Sequence, residues 1–211
     1  MKDDRDDPRV ATEVSLQGFF REALGLALVE RNVAATPHTE HYLVALLSDF
    51  AHPDELAQET FERPLSVLLA EALNLTGRDR FERLRTLGDA VLYTSGFFLE
   101  HLKNRGVRLA YVSALGARAY DSAASMLRHA DRGSGEGARA PELFEELADN
   151  FTPYAEVFAA LADGLLARSA HASAAGALRI YEKWLETGSA ELSRALAARG
   201  ITPVRGGGGV H

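Results

Sequence analysis

The sequence predicts an all-α protein: a single multi-helix bundle of about eight to ten helices with a central antiparallel helical hairpin. Apolar residues recur at the three- and four-residue spacing of a helix face over most of the chain. Prolines stand where helices begin, because the first turn leaves its N–H groups unpaired in any case. Alternation of apolar and polar residues never persists, and no Asn-Gly or Asp-Gly turn joins β-branched segments. No strand is therefore predicted.

The N-terminal part of the chain contains four predicted helices. The first covers 15–31, where the apolar periodicity is most regular. The second covers 37–50 and begins at a proline, with Thr36 placed as its N-cap. Two shorter helices are predicted at 53–60 and 64–75, each again starting at a proline.

Six more helices follow. The longest is predicted at 78–104 and its neighbour at 108–130, and a short turn between them makes the central hairpin. The remaining four are predicted at 141–150, 153–169, 173–187 and 189–199. Glycine commonly occupies the left-handed position that ends a helix. The predicted helix stops are Gly77, Gly106, Gly188 and Gly200.

The chain is long enough for one domain or two small ones. We expect a flexible acidic N-terminus at 1–14, a helical domain at 15–201 and a flexible glycine-rich tail at 202–211. Three glycines within 131–140 predict a mobile loop there. This loop is the only internal boundary that the sequence indicates, and one domain is preferred over two.

Composition limits the function classes. The chain has 211 residues, 46% of them hydrophobic, and a formal net charge of −7. The acidic balance argues against nucleic-acid binding and against an anionic membrane surface. No apolar run is long enough to span a bilayer, and no secretory signal is visible, so a cytoplasmic location is expected. Since cysteine is absent, thiol chemistry and cysteine-based metal sites are excluded.

The most distinctive segment runs from Leu87 to Leu99 and is apolar nearly all round, which indicates a helix buried on several sides. Gly88 and Gly96 each cost this helix about 1 kcal/mol relative to alanine. Close packing of a neighbouring helix is one reason for such glycines. Room for a ligand is the alternative, and a cavity facing Gly88, Gly96 and Gly116 would favour it.

Asp89 is the candidate functional residue of this helix. A buried carboxylate must be paired, or its pKa rises until it is neutral. Tyr93 follows one turn later, and Tyr111 and Tyr120 on the next helix are further hydroxyl donors. These four residues form either a hydrogen-bond network that fixes the helix register or a ligand-binding site.

A sequence pattern supports a bacterial origin. It reads LxxLGDxxLYxxGxF over residues 84–98 and YxxxxGxxAY over residues 111–120. This pattern resembles one found in bacterial hypothetical proteins that are helical and have no assigned activity. The resemblance covers the middle of the chain and implies a bacterial helical protein, without adding a mechanism.

The other candidate sites rest on one or two residues each. His38 and His41 share a helix face and are weak candidates for metal ligands, but no HExxH or Glu-x-x-His motif accompanies them. We therefore expect no metal and no cofactor. No nucleophile elbow or phosphate-binding motif is present. Trp184, with Tyr181 beside it, is either a core residue or an anchor for a partner protein.

Two hypotheses about function follow. The first is a non-enzymatic cytosolic interaction protein, such as an adaptor, scaffold or regulatory subunit, that associates with itself or with another protein. The second is a small-ligand-binding helical protein or enzyme with a polar site around Asp89, Tyr93 and Tyr120. Since no catalytic motif is recognised, the first is preferred.

Overall fold

The computed structural model describes residues 8–50, 63–99, 102, 106, 108–131, 140–169 and 174–204, the side chains of 8–15, 130, 131 and 174 excepted. Within these residues the chain is helical and contains no strand, which confirms the predicted all-α fold class. The nine helices described are α1 Pro8–Arg31, α2 Pro37–Phe50, α3 Leu65–Asn74, α4 Gly77–Phe97, α5 Leu109–Asp131, α6 Ala140–Asp149, α7 Phe151–Ser169, α8 Ala174–Thr187 and α9 Ala190–Ala197.

Most helix bounds agree with the sequence to within two residues, and two differ by more. α1 begins at Pro8 rather than near residue 15, since this proline also occupies a helix start. α4 ends at Phe97, before the predicted 104, because Phe98 takes a non-helical backbone conformation that no glycine or proline announces. The helix predicted at 53–60, most of the loop at 131–140 and residues 205–211 of the tail lie outside the described residues.

The helix ends follow local rules. Gly188 and Gly200 follow α8 and α9 with the positive φ of the left-handed position, as predicted. Gly77 also has a positive φ, but the prediction of a helix stop there is wrong: α3 ends at Asn74, its C-cap Leu75 is extended, and Gly77 is the first residue of α4. Gly106 has a positive φ as well, and residues 103–105 before it lie outside the described residues.

Asn32 fills the left-handed position after α1 with φ of 53°. There the N–H of Val33 bonds the carbonyl of Leu28, which closes a Schellman motif. At the start of α2, the Thr36 hydroxyl accepts from the N–H of Thr39, so Thr36 is the predicted N-cap.

The chain divides into two compact units, residues 1–158 and 159–211, and α7 contributes to both. In the first unit the predicted antiparallel hairpin is formed by α4 and α5, whose contact is the most extensive between any two helices described. Gly88 meets Tyr120 and Val91 meets Gly116, so the residue numbers run in opposite directions along the seam. α6 packs on α5, and α1 packs on α2.

The second unit has its own small core. Four buried side chains from α8 and α9 form it, namely Ile180, Trp184, Leu192 and Leu196. Ser189 caps α9 by accepting from the N–H of Leu192.

Among the residues described, no helix is both long and apolar enough to cross a membrane.

Candidate functional site

Three helices meet at the carboxylate of Asp89, which is 7% exposed on α4. Its Oδ1 accepts a hydrogen bond of 2.6 Å from the hydroxyl of Tyr42 on α2. The same oxygen accepts one of 2.8 Å from the hydroxyl of Tyr120 on α5. Its Oδ2 lies 3.5 Å from Nη1 of Arg85, one turn earlier on α4. The sequence prediction of a paired, buried carboxylate at this position describes the site correctly.

Two opposing effects determine the pKa of Asp89: its burial and its hydrogen-bonding and charged partners. Burial raises the pKa of Asp89 to about 6, while the two tyrosine hydroxyls and then Arg85 oppose the rise. Burial and the charge of Asp89 raise the pKa of Tyr42, and the same two causes raise that of Tyr120. At neutral pH Asp89 is therefore ionised, and both tyrosines keep the protons that they donate.

The glycines of the hairpin face packed side chains. A methyl at Gly88 would lie 2.5 Å from Cε1 of Tyr120. A methyl at Gly96 would overlap Phe158, and one at Gly116 would overlap Phe151. Aromatic rings at Gly88 and Gly116, and Cβ and backbone atoms of α7 at Gly96, fill the positions where a ligand cavity would have to lie, so the glycines favour tight packing over a binding site.

The structure brings together only part of the predicted tyrosine cluster. Tyr120 reaches Asp89, whereas the ring of Tyr93 stacks on Phe50 and Phe97, with both centroid distances 4.6 Å. Tyr111 is 50% exposed. Tyr42, which the sequence analysis did not include, donates the shorter hydrogen bond to Asp89. The sequence does contain a signal for this partner: Tyr42 places a hydroxyl on a helix face that is otherwise apolar, which indicates a buried polar group nearby.

A second carboxylate, that of Glu146 on α6, joins α2 and α7. Its Oε1 accepts from the Thr36 N–H at 2.9 Å and from the Tyr154 hydroxyl at 2.8 Å. Its Oε2 accepts from the hydroxyls of Thr36 and Thr39, each at 2.7 Å. Burial opposes the ionisation of Glu146, but hydrogen bonds from Thr39, Thr36 and Tyr154 outweigh it and lower its pKa. Four donors occupy both oxygens, so this carboxylate acts as a structural clamp.

The two candidate metal ligands, His38 and His41, are exposed in the first turns of α2. Within the described part of the chain, no three histidine or acidic side chains come together as metal ligands. The expectation that the protein binds no metal stays a prediction.

Trp184 is 8% exposed and belongs to the core of the second unit, which supports the core interpretation of this residue. Tyr181 packs against it with a centroid distance of 5.9 Å and donates from its hydroxyl to the carbonyl of Val204. In the same unit, Nζ of Lys183 lies 2.9 Å from Oδ1 of the buried Asp163. These contacts hold α8 in its place.

The outward face of α1 carries the most exposed large apolar residue described. Val29 is 82% exposed, Leu26 65% and Phe19 37%. At 3.6 residues per turn these three positions fall within about 80° of arc. Phe20, Leu24 and Leu28 point to the opposite side and are buried. α1 therefore exposes three apolar side chains on its solvent side, where the exposed Glu22 falls within the same arc. The sequence analysis did not single out this feature.

Comparison of the chain with protein-family models, with curated proteins and with solved structures gives no match.

Proposed function

We propose that this chain is a non-enzymatic interaction protein that associates with a second copy of itself through the outward face of α1, defined by Phe19, Leu26 and Val29. The observation that carries the proposal is the exposure of these side chains on one side of a helix. Burying a valine or leucine side chain stabilises an assembly by about 1.5–3 kcal/mol, and neighbouring apolar side chains left in water favour association.

A second copy suits this face for two reasons. A two-fold contact buries the same patch on both subunits, so the exposed apolar side chains of one copy can pack against those of the other. The charged residues of α1 that the structure describes in full are Arg21, Glu22, Glu30 and Arg31, which sum to zero. The chain as a whole has a net charge of −7, and α1 is a place where two copies approach without net repulsion.

The two polar centres of the first unit support a role without catalysis. The carboxylates of Asp89 and Glu146 are occupied by tyrosine, threonine and arginine donors from the chain itself. A general acid or base has to reach a substrate within hydrogen-bond distance. A cytoplasmic setting, expected from the sequence, and a bacterial origin, indicated by the pattern over residues 84–120, belong to the same proposal.

Sedimentation velocity of the full chain tests the proposal. We expect a dimer at protein concentrations of about 100 µM, a range that detects association free energies of about −5.5 kcal/mol or stronger. The double variant Leu26→Gln, Val29→Gln should be a monomer with an unchanged circular dichroism spectrum. Leu178→Gln is the matched control, because Leu178 is equally apolar and 57% exposed on α8.

A wild-type chain that stays monomeric would overturn the proposal. So would a dimer that the α1 variant leaves intact, or one that Leu178→Gln disrupts equally.

A further inference from the structure

Two serine hydroxyls are buried within the α4–α5 hairpin. Ser95 on α4 is 2% exposed, and Ser113 on α5 is 7% exposed. Among the residues described, neither hydroxyl oxygen has a hydrogen-bond partner, and both oxygens are out of contact with solvent. A buried hydroxyl without a partner destabilises a fold, and native proteins rarely leave one in this state. Each of the two hydroxyls therefore needs a polar group to bind.

The two serines occupy matching positions on the facing helices. Gly88 of α4 meets Tyr120 of α5. Ser95 follows Gly88 by seven residues and Ser113 precedes Tyr120 by seven, which is the same step along two antiparallel helices. Seven residues make about two full turns, so each serine is on the face of its helix that forms the Gly88–Tyr120 contact. Both hydroxyls thus belong to the seam between α4 and α5, two turns away from that contact.

Two other buried hydroxyls are bound within their own helix. Thr94, the neighbour of Ser95, donates to the carbonyl four residues earlier at 2.6 Å, and Ser48 on α2 does the same at 2.9 Å. This is the usual hydrogen bond of a serine or threonine inside a helix. Ser95 and Ser113 do not form it. Their hydroxyls remain available for a group that lies between the two helices.

We propose that Ser95 and Ser113 together bind one internal water molecule in the seam of the hairpin. Water both donates and accepts, so one molecule can complete two hydroxyls at once, and a buried water typically makes about three hydrogen bonds. The helix carbonyl four residues before either serine retains a lone pair that can accept the third bond.

The size of the site favours water over a larger ligand. Since both hydroxyl oxygens are out of contact with solvent, the bound molecule must be small enough to be enclosed. Two serines also fill much less space than the glycine and the tyrosine that meet two turns away, which favours a small guest at this level of the seam. The site does not depend on the self-association proposed for α1.

A crystal structure of the full chain, at a resolution that shows ordered water, tests the site directly. We expect one water within about 2.5–3.0 Å of both Oγ atoms. A direct hydrogen bond between the two hydroxyls would overturn the proposal. A seam without water, in which each hydroxyl donates to a carbonyl of its own helix, would overturn it too.

A double-mutant cycle tests whether the two hydroxyls share the water. Ser95→Ala and Ser113→Ala should each raise the equilibrium constant of unfolding at least about fivefold, because each leaves the water and the other hydroxyl short of a partner. The double variant should be no less stable than the weaker single variant, since it removes the whole site. Urea denaturation measures all four chains. Effects that multiply, or single variants as stable as the wild type, would contradict a shared water.

Ser122→Ala is the matched control. Ser122 is also buried on α5 and lies nine residues from Ser113. This separation is about 13 Å along the helix, beyond the range over which two substitutions usually affect each other. Its exchange reports the gain in helix propensity of any serine-to-alanine substitution, and its effect should simply add to that of Ser95→Ala. A coupling of Ser95 to Ser122 as large as that to Ser113 would contradict a site formed by facing hydroxyls.

Discussion

Gly88 and Tyr120 pack against each other so closely that the phenol ring occupies the space where a side chain at position 88 would stand. The same ring directs its hydroxyl at Asp89, the next residue of α4. The register of the α4–α5 hairpin is therefore fixed by one aromatic residue through a close contact and a hydrogen bond at once. A shift of either helix would break both together.

Gly88→Ala should lower the free energy of unfolding, because the added methyl overlaps the Tyr120 ring. Overpacking of a core costs about 1–3 kcal/mol, which exceeds the gain of about 1 kcal/mol in helix propensity. Urea denaturation followed by circular dichroism measures the change. Gly18→Ala, where the methyl meets open space among the residues described, should raise stability by about 0.5–1 kcal/mol. Equal effects at the two positions would show that the ring contact does not matter.

Asp89→Asn should change the pH dependence of stability. The folded pKa of Asp89 is about 6, above its unfolded value of about 3.9. A raised pKa contributes stability that is fully present below the unfolded pKa and is lost as pH rises through the folded one. Relative to Asp89→Asn, the wild-type chain should lose about 2 kcal/mol of its free energy of unfolding between pH 4 and pH 6.5.

Denaturation at a series of pH values gives this difference. Asp121→Asn on α5 is the control, since that carboxylate is half-exposed and pairs with Arg118 at the surface. Asp49 and Arg85 also act on Asp89, so salt should shift the transition by a small amount. If the difference in free energy of unfolding between the wild-type and Asp89→Asn chains stays constant from pH 4 to pH 6.5, Asp89 does not have the raised pKa that its burial implies.

Tyr42→Phe should destabilise the chain by about 2 kcal/mol at pH 7, because it removes a hydrogen bond to a buried charged group. The loss should shrink near pH 4, where Asp89 is neutral. Thermal unfolding at the two pH values measures both effects. Tyr93→Phe is the control: the ring stacks on Phe50 and Phe97, and this contact survives the loss of its hydroxyl. If Tyr93→Phe costs as much as Tyr42→Phe, the assignment of partners to Asp89 is wrong.

Glu146→Gln should cost about 1 kcal/mol at neutral pH, because an amide nitrogen replaces one of two acceptor oxygens. The folded pKa of Glu146 is lowered, so its contribution is present above its unfolded value of about 4.3 and disappears as pH falls through the folded one. Wild type and variant should therefore converge in acid. Glu142→Gln, exposed on the same helix, should show no such convergence.

Local signals predicted the helices of this chain well. Proline at the first turn, Thr36 as a cap and glycine at the left-handed position act within a few residues, so the sequence displays them directly. The end of α4 at Phe97 was not predicted, because no helix-breaking residue stands there. What the structure shows at this end is aromatic packing, with Phe97 stacked on Tyr93.

The polar centres were predicted only in part, because their partners come from distant segments. Asp89 was recognised from its apolar neighbours, but Tyr42 lies 47 residues away and joins it only through helix packing. Tyr93 is one turn from Asp89 in sequence, yet its ring stacks on Phe50 and Phe97. Helical periodicity shows which residues share a face and leaves open which neighbour that face meets.

The Glu146 clamp has a consequence for how the protein is made. Its carboxylate holds Thr36 across 110 positions, and Tyr154 bonds the carbonyl of Ala34 across 120. At about 5–20 residues per second, the ribosome needs several seconds to a few tens of seconds between making the first partner and the last. During that interval the segment between α1 and α2 emerges without its clamp. The nascent chain completes this junction only after α6 and the start of α7 have left the exit tunnel, so its N-terminal helices wait for the C-terminal half.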